Sequence, residues 1–206
     1  MTTQPTLETQ RLVLRPWTLG DAAALQELAG QREIADTTIS IPHPCTEENA
    51  REWIAEKAQA FAERKGAGFG LELKETKQLI GAVGLREMRL EHGEAELGFW
   101  LGVLWWGKGY GTEAARAALR YGFAAIGLNR ICAHHMVRNP ASGRVLEKIG
   151  MKREGLLRQH VRKWGVFEDV VLLAILREEW VRQTSIGSPG CDEPVQVEAY
   201  SRLWRS

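Results

Sequence analysis

After a polar opening stretch, residues 11–17 read Arg-Leu-Val-Leu-Arg-Pro-Trp, with apolar positions held between charged ends. That pattern predicts a first strand. Asp21 is placed to cap a helical run through Leu28. Residues 31–45 show no period, carry Pro42, Pro44 and Cys45 near their end, and read as irregular. Thr46-Glu-Glu-Asn then starts a longer amphipathic helix to about Lys65. Strands are predicted over 68–73 and 78–90, around a turn at 74–77, and again over 94–104. An Ala-rich helix follows over 111–126, with Gly127 near its stop. A strand over 130–137 leads to a helix over 140–149, with Pro140 suited to its first turn. Strands over 151–157 and 167–176 and a short helix over 177–183 complete the pattern. From Thr184 the composition turns to Ser, Gly, Pro and Asp, so 7–183 reads as one domain and 184–206 as a C-terminal tail. The order of strands and helices predicts an α+β (α/β layered) fold with a mixed sheet, not a clean doubly wound one. No internal repeat is visible.

Composition narrows the function classes. The chain has 206 residues, 44% hydrophobic and 26% charged, which suffices for a sizeable core and excludes wholesale disorder. Lys and Arg number 27 against 26 Asp and Glu, a formal charge of +1. A dedicated nucleic-acid binder would carry a basic excess, so no nucleic-acid partner is expected. Three cysteines, Cys45, Cys132 and Cys191, have no metal-ligand or disulfide spacing, and no metal site is expected. The N-terminal ten residues lack an apolar signal core, and no run approaches the ~18 apolar residues of a membrane span. The expectation is a cytoplasmic protein without a membrane partner. One number is unusual: eight Trp.

The chemically informative segment is Trp105-Trp-Gly-Lys-Gly-Tyr-Gly-Thr-Glu-Ala114. It lies between a predicted strand and a predicted helix. Its alternating glycines allow a tight turn and close backbone approach to a ligand. The amides at the helix N-terminus suit an anion, typically a phosphate, although a glycine-rich turn can also serve merely to reverse the chain. Two nucleotide motifs fit poorly. Residues 102–108 match the start of a Walker A loop, yet Gly109 stands where a Ser or Thr must ligate Mg²⁺. The dinucleotide pattern fails from Gly107, because Thr112 occupies the third glycine.

Several segments in register resemble the GNAT acyl-CoA N-acetyltransferases, in particular their RimJ/RimL-type branch. Glu96-Leu-Gly-Phe-Trp-Leu-Gly102 resembles the family's central strand, and 106–114 its pyrophosphate loop. Asn139-Pro-Ala-Ser142 with Val145-Leu-Glu-Lys-Ile-Gly-Met151 resembles its next helix and turn, and 164–176 its final strand region. The opening Thr9-Gln-Arg-Leu-Val-Leu-Arg-Pro16 also fits. The resemblance implies a mixed, mostly antiparallel central sheet flanked by helices. It also implies acetyl-CoA as co-substrate, direct transfer to an amine in a ternary complex, and the option of a homodimer. Trp106 opens the loop where many relatives have Gln or Arg, and Leu146 stands where many carry a catalytic Tyr.

Carried over to this chain, the amides of Gly107, Lys108, Gly109, Tyr110, Gly111 and Thr112 would anchor the CoA pyrophosphate. The backbone of Phe99, Trp100 and Leu101 would pair with the pantetheine arm, and Asn139 would hold CoA or a water, or simply start a turn. Ser142 is the candidate donor of a proton to the departing thiolate, with helix capping as its other reading. Glu96 is the candidate acceptor of the amine proton, with Glu94 on the same strand face and Glu168 and Asp169 behind it. His134 and His135 are expected to face opposite sides of a strand and to be solvated or satisfied. Trp100, Trp105 and Trp106 surround the loop, as an aromatic wall for the acceptor or as core. The acceptor contacts are expected from 31–45 and from a loop at 158–166. An α-amine, titrating near 7.7–8.0, loses its proton more easily than a Lys amine near 10.4, which favours an α-amine; the resemblance implies that this amine is a protein N-terminus. A small-molecule amine (polyamine, amino acid or antibiotic) is the alternative acceptor, and a non-catalytic acyl-CoA-binding module the alternative function.

Overall fold

Leu12 and Leu14 are fully buried while Val13 and Arg15 between and beside them are not, so the opening segment is a strand with one face in the core. A computed structural model describes residues 3–185 and carries this strand into an eight-stranded sheet. The strands are β1 (Leu7–Glu8), β2 (Leu12–Pro16), β3 (Ala67–Leu73), β4 (Leu79–Arg89), β5 (Glu94–Leu101), β6 (Arg130–Met136), β7 (Lys152–Lys163) and β8 (Val166–Leu176). Their spatial order is β1-β2-β3-β4-β5-β6-β8-β7. Every neighbouring pair is antiparallel except β5 and β6. This is the expected mixed, mostly antiparallel sheet.

Helices α1 (Ala22–Ala29) and α3 (Glu47–Ala62) cover one face of the sheet, and α4 (Tyr110–Arg120) and α5 (Pro140–Lys148) the other. Thr46 caps α3 as its sequence implies: its hydroxyl accepts the Asn49 amide at 3.1 Å, and the Asn49 side chain accepts the Thr46 amide at 3.2 Å. The alanines of α4, at 114, 115, 117 and 118, are all buried. Their small side chains bring the helix close to β4 and β5. After α4 the backbone widens into a π-type turn, Tyr121–Ile126, and stops at Gly127 with φ +87°.

Some boundaries differ from expectation. Asp21 does not cap α1 with its side chain; the carboxylate accepts from the Thr18 amide and hydroxyl and pairs with Arg15 at 2.8 Å. The irregular segment 31–45 contains a short helix, α2 (Arg32–Thr37). Its buried Ile34 and Ala35 make one apolar turn, too short to show a period. The strand expected to reach 104 ends at Leu101, where residues 103–105 wind into a single 3₁₀ turn and the Trp105 ring fills the space a Cβ at Gly102 would need. The loop expected at 158–166 is strand on both sides of a two-residue turn. Trp164 and Gly165 both take positive φ there, 48° and 86°, the geometry that closes a hairpin without splaying it. Helix α6 (Arg177–Ser185) stacks Trp180 on Phe123. The rest of the tail expected from Thr184 lies outside the described residues.

On the α3 side, Gly68, Gly84 and Gly98 stand directly opposite one another on β3, β4 and β5. They are not equivalent. A Cβ at Gly84 would lie 2.7 Å from the Ala67 carbonyl oxygen and 2.9 Å from the Gly68 Cα, both backbone. At Gly98 the nearest atom would be Arg86 Nε at 3.8 Å. In urea denaturation, Gly84→Ala should therefore cost about 1–3 kcal/mol. Gly98→Ala should leave stability unchanged or raise it slightly, since a strand alanine loses less entropy than glycine. Equal losses at the two positions would contradict this reading of the row.

Candidate active site

β5 and β6 pair over only three residues, Glu94–Arg130, Ala95–Ile131 and Glu96–Cys132. The closed end of this seam is tied down. The Gly93 carbonyl accepts the amides of Asn129 at 2.7 Å and Arg130 at 3.0 Å. Arg130 pairs with Glu94 and Glu154, and Glu94 with Arg89. Beyond Cys132 the strands part: β5 stays on β4 as far as Leu101, and β6 stays on β8 as far as Met136. Each then presents one strand edge to the gap. Backbone N–H and C=O groups on such an edge need partners, so the gap suits an extended ligand that carries amides of its own.

A cavity of about 560 Å³ runs through the gap. On the α4 side it is walled by Phe99 and Leu101, by Gly107, Gly109, Gly111 and Thr112 of the glycine turn, and by Ser142 of α5. Gly107 (φ +74°) and Gly109 (φ +83°) hold left-handed conformations that other residues adopt only at a cost. A Cβ on Gly107 would meet nothing within 4 Å, so its face is open. Gly109 is the residue before α4, and the first amides of that helix follow it, at the positive end of its dipole. Lys108 and Tyr110 sit in the turn but not on the cavity wall. The Lys108 carbonyl accepts from Arg11 at 3.0 Å, and the Tyr110 ring lies 4.4 Å beneath the Arg11 guanidinium.

Arg11 belongs to a brace that no sequence spacing signals. Glu113, in the first turn of α4, accepts from the Arg11 amide at 2.8 Å and the Thr9 hydroxyl at 2.7 Å, and pairs with the Arg11 guanidinium at 2.7 Å. The β1–β2 turn thus fixes both the glycine turn and the helix that follows it.

At the other end of the gap Asn139 caps α5, its side-chain oxygen accepting the Ser142 amide at 3.2 Å, while its amide nitrogen donates to the Thr37 carbonyl at 3.2 Å. Asn139 therefore latches 31–45 to α5. Capping belongs to Asn139, and the Ser142 hydroxyl has no partner among the described residues. His135 packs its ring over Gly143, on the α5 side. Leu146 is wholly buried.

Glu96 faces the opposite side and lines the cavity while only 7% exposed. One of its oxygens bonds both Arg86 Nη2 and, at 3.1 Å, His134 Nδ1. Burial pushes the carboxyl up, but the His134 hydrogen bond and the Arg86 charge outweigh it and hold Glu96 below the usual carboxylate range. An ionised carboxylate only accepts, so Nδ1 of His134 carries the shared hydrogen, and Nε2 is left as a proton acceptor when the ring is neutral. His134, expected to be a bystander, is the cavity-lining partner of Glu96; the register that sets it beside Glu96 is not visible along the chain. Its ring stacks on His160 at 6.0 Å. The other carboxylates are employed elsewhere. Glu168 pairs with Arg138 at 2.8 Å, and Asp169 accepts the Gln159 amide at 2.8 Å.

Trp100, Trp105 and Trp106 all line the cavity. Trp105 is otherwise core, whereas Trp106 stays 42% exposed and donates its indole N–H to the Leu101 carbonyl at 2.7 Å. On the α3 side the wall comes from residues 37–41 and from Trp53 and Lys57. Residues 158–166 do not line it. The hairpin tip acts indirectly, Lys163 donating to the Ile41 carbonyl at 2.8 Å and Trp164 lying 5.6 Å beneath Arg32. Among the described residues no group of His, Cys, Asp or Glu could hold a metal ion, and no helix is long and apolar enough to cross a membrane.

The model of the acetyltransferase (GNAT) domain matches residues 11–152. The uncharacterized N-acetyltransferase YoaA of Bacillus subtilis is 34% identical over 173 residues, which span 84% of this chain and 97% of that one. The [ribosomal protein uS5]-alanine N-acetyltransferase of Escherichia coli is 33% identical over 113 residues, 54% of this chain and 58% of its own. The solved structure of Mycobacterium smegmatis RimJ in complex with CoA-disulfide superposes with a TM-score of 0.78 at 22% identity, covering 88% of this chain and 94% of that one. At that identity it speaks for the fold.

The environment of Glu96 sets a pH dependence. A carboxyl held low by folding stabilises the protein while ionised, and that contribution disappears as pH falls through its folded value, below the ordinary range near 4.3. Urea midpoints followed from neutral pH to about pH 3 should fall less steeply in Glu96→Gln than in the parent. Parallel curves would mean that Glu96 is not held ionised.

Proposed function

The chain belongs to the GNAT acetyltransferase family, and on that premise we propose that it moves an acetyl group from acetyl-CoA to a primary amine by direct attack within a ternary complex. The observation that carries this reading is the parting of β5 and β6, with a free strand edge leading to a glycine turn at a helix N-terminus. The pantetheine amides pair with the edge at Phe99, Trp100 and Leu101. The pyrophosphate rests on the amides of residues 107–112, held in place by the Arg11–Glu113 brace. Acetyl-CoA supplies the thioester; the chain's own residues orient it and handle the protons.

The amine, once neutral, attacks the thioester carbonyl from the Glu96 side of the gap. Its surplus proton passes to Nε2 of His134, which Glu96 orients, and from there to solvent. Glu96 itself, already shared between Arg86 and His134, is a weak acceptor and acts through the imidazole. As the C–S bond breaks, the Ser142 hydroxyl gives a proton to the departing thiolate and recovers one from solvent. Asn139 positions Ser142 by capping α5. No acetyl-enzyme is needed: Cys132, the cysteine nearest this chemistry, has its thiol pushed up to about 11 by burial and by the charges of Glu96 and Glu94.

Thiol release from acetyl-CoA in the presence of an amine panel tests the activity. Binding of CoA without turnover on any amine would favour a non-catalytic acyl-CoA-binding module. Ser142→Ala should lower kcat about a hundredfold while leaving CoA affinity nearly unchanged. Gly109→Val should abolish CoA binding, since a β-branched residue resists φ near +83° at the cavity wall. An unaltered rate in the first variant removes Ser142 from the reaction, and retained binding in the second removes the turn from the cofactor site.

A further inference from the structure

On the α3 side of the cavity two cationic side chains, Lys57 and Arg86, stand near one another with one buried carboxylate, Glu96, between Arg86 and His134. The floor on this side includes the row Gly68, Gly84 and Gly98, none of which contributes a side chain of its own. The stem of Lys57, from α3, lies 3.3 Å from where a Cβ on Gly68 would be, and its ammonium sits 4.8 Å from the Trp53 ring. No carboxylate forms an ion pair with Lys57 among the described residues. Arg86 reaches in from β4. Its Nη2 bonds Glu96, but its Nε is buried, has no hydrogen-bond partner, and lies 3.8 Å from the Cβ position at Gly98. Glu96 cannot neutralise both cations, because Arg86 and His134 already share one of its oxygens. Burial lowers Lys57, the nearby Glu56 opposes that, and Arg86 lowers it further, so the two cations repel across the glycine floor. The other charges at this end are Lys65, paired with Glu63, and Glu87, an exposed lining residue outside both ion pairs.

We infer that the acceptor is a primary amine carrying its own carboxylate, which lies over Gly84 between Lys57 and Arg86 while the amine meets Glu96 and His134. This deepens the N-acetyltransferase reading and rests on it. The Lys57 ammonium and the Arg86 guanidinium, whose side chain is 40% exposed, can each donate to one oxygen of a carboxylate. Adjacent strands are about 4.8 Å apart, so the step from Gly98 to Gly84 sets a short distance between amine and carboxylate. A free amino acid spans it, and so does a peptide N-terminus whose first residue is acidic. A polyamine would instead bring a second ammonium against Lys57, which a desolvated site penalises.

The test compares acceptors that differ only in this charge. With the full chain and acetyl-CoA, thiol release is measured for free amino acids and their amides, for peptide amides beginning with Asp or Asn, and for spermidine. The carboxylate member of each matched pair should have a kcat/KM about tenfold or more above its neutral partner, with spermidine lowest. Activity on free amino acids alone, or on Asp-peptides as well, identifies the source of the carboxylate. Lys57→Met keeps the stem over Gly68; it should erase the preference through acceptor KM, with the KM for acetyl-CoA unmoved, and Lys57→Arg should restore it. Amides or spermidine turned over as well as carboxylates, or an unmoved acceptor KM in Lys57→Met, overturns the inference and leaves the acetyltransferase reading standing. A readout independent of turnover covers the case where no amine reacts. Calorimetric binding of N-acetylated amino acids to the CoA-loaded protein should exceed that of their amides and weaken about tenfold in Lys57→Met. No difference between acids and amides overturns the inference by itself.

Discussion

The parallel seam between β5 and β6 ends at the Glu96–Cys132 pair, and most of the site depends on that ending. Each strand keeps its outer neighbour, so the sheet survives the break. What is left is a wedge with a tied closed end and an open end lined by unpaired backbone. An unpaired edge is usually a hazard that proteins blunt or cover. Here it lies inside the molecule, between α3 and the 31–45 segment on one side and α4 and α5 on the other, where a ligand with amides can complete it. The ion pairs of Arg130 and the two bonds to the Gly93 carbonyl keep the seam from sliding.

The wedge also separates two kinds of recognition. On the α4 side the cavity meets backbone amides at a helix terminus, a geometry suited to an anion, with Arg144 and Lys148 of α5 also on the wall. A net charge of +1 therefore says little about whether an anion binds. On the α3 side the groups are side chains: Lys57, Arg86 and His134, all partly buried, around the buried Glu96. Their charges act on each other because they are close and partly shielded from water. The thioester would sit where the two halves meet, with Ser142 on one side and the Glu96–His134 pair on the other.

Polar latches far from the chemistry set the geometry. Glu113 collects Thr9 and Arg11 from the start of the chain and so aims the glycine turn. Asn139 links the cap of α5 to Thr37, and Lys163 props Ile41 from the tip of the β7–β8 hairpin. Through these bonds the hairpin shapes the α3 side of the cavity without lining it.

The sequence by itself determined the elements whose signals are local. The strand at 11–17, the Thr46 cap, the glycine turn and the helix from Pro140 were legible because alternation, capping chemistry and glycine spacing act within a few residues. It also offered two candidates for proton handling, Ser142 through segments that resemble a known family and Glu96 through strand alternation. The one-turn helix α2 and the extended β7–β8 hairpin were not legible, the first because six residues show no period, the second because a bulge at Gln159 breaks the alternation of β7. Only the tertiary structure decided that His134 faces Glu96, that Arg11 braces Glu113, and that Lys57 and Arg86 share a floor of three glycines. Each of these depends on cross-strand register or on helix placement between residues far apart in the chain. Such contacts arise from packing the whole sheet, and no local pattern encodes them.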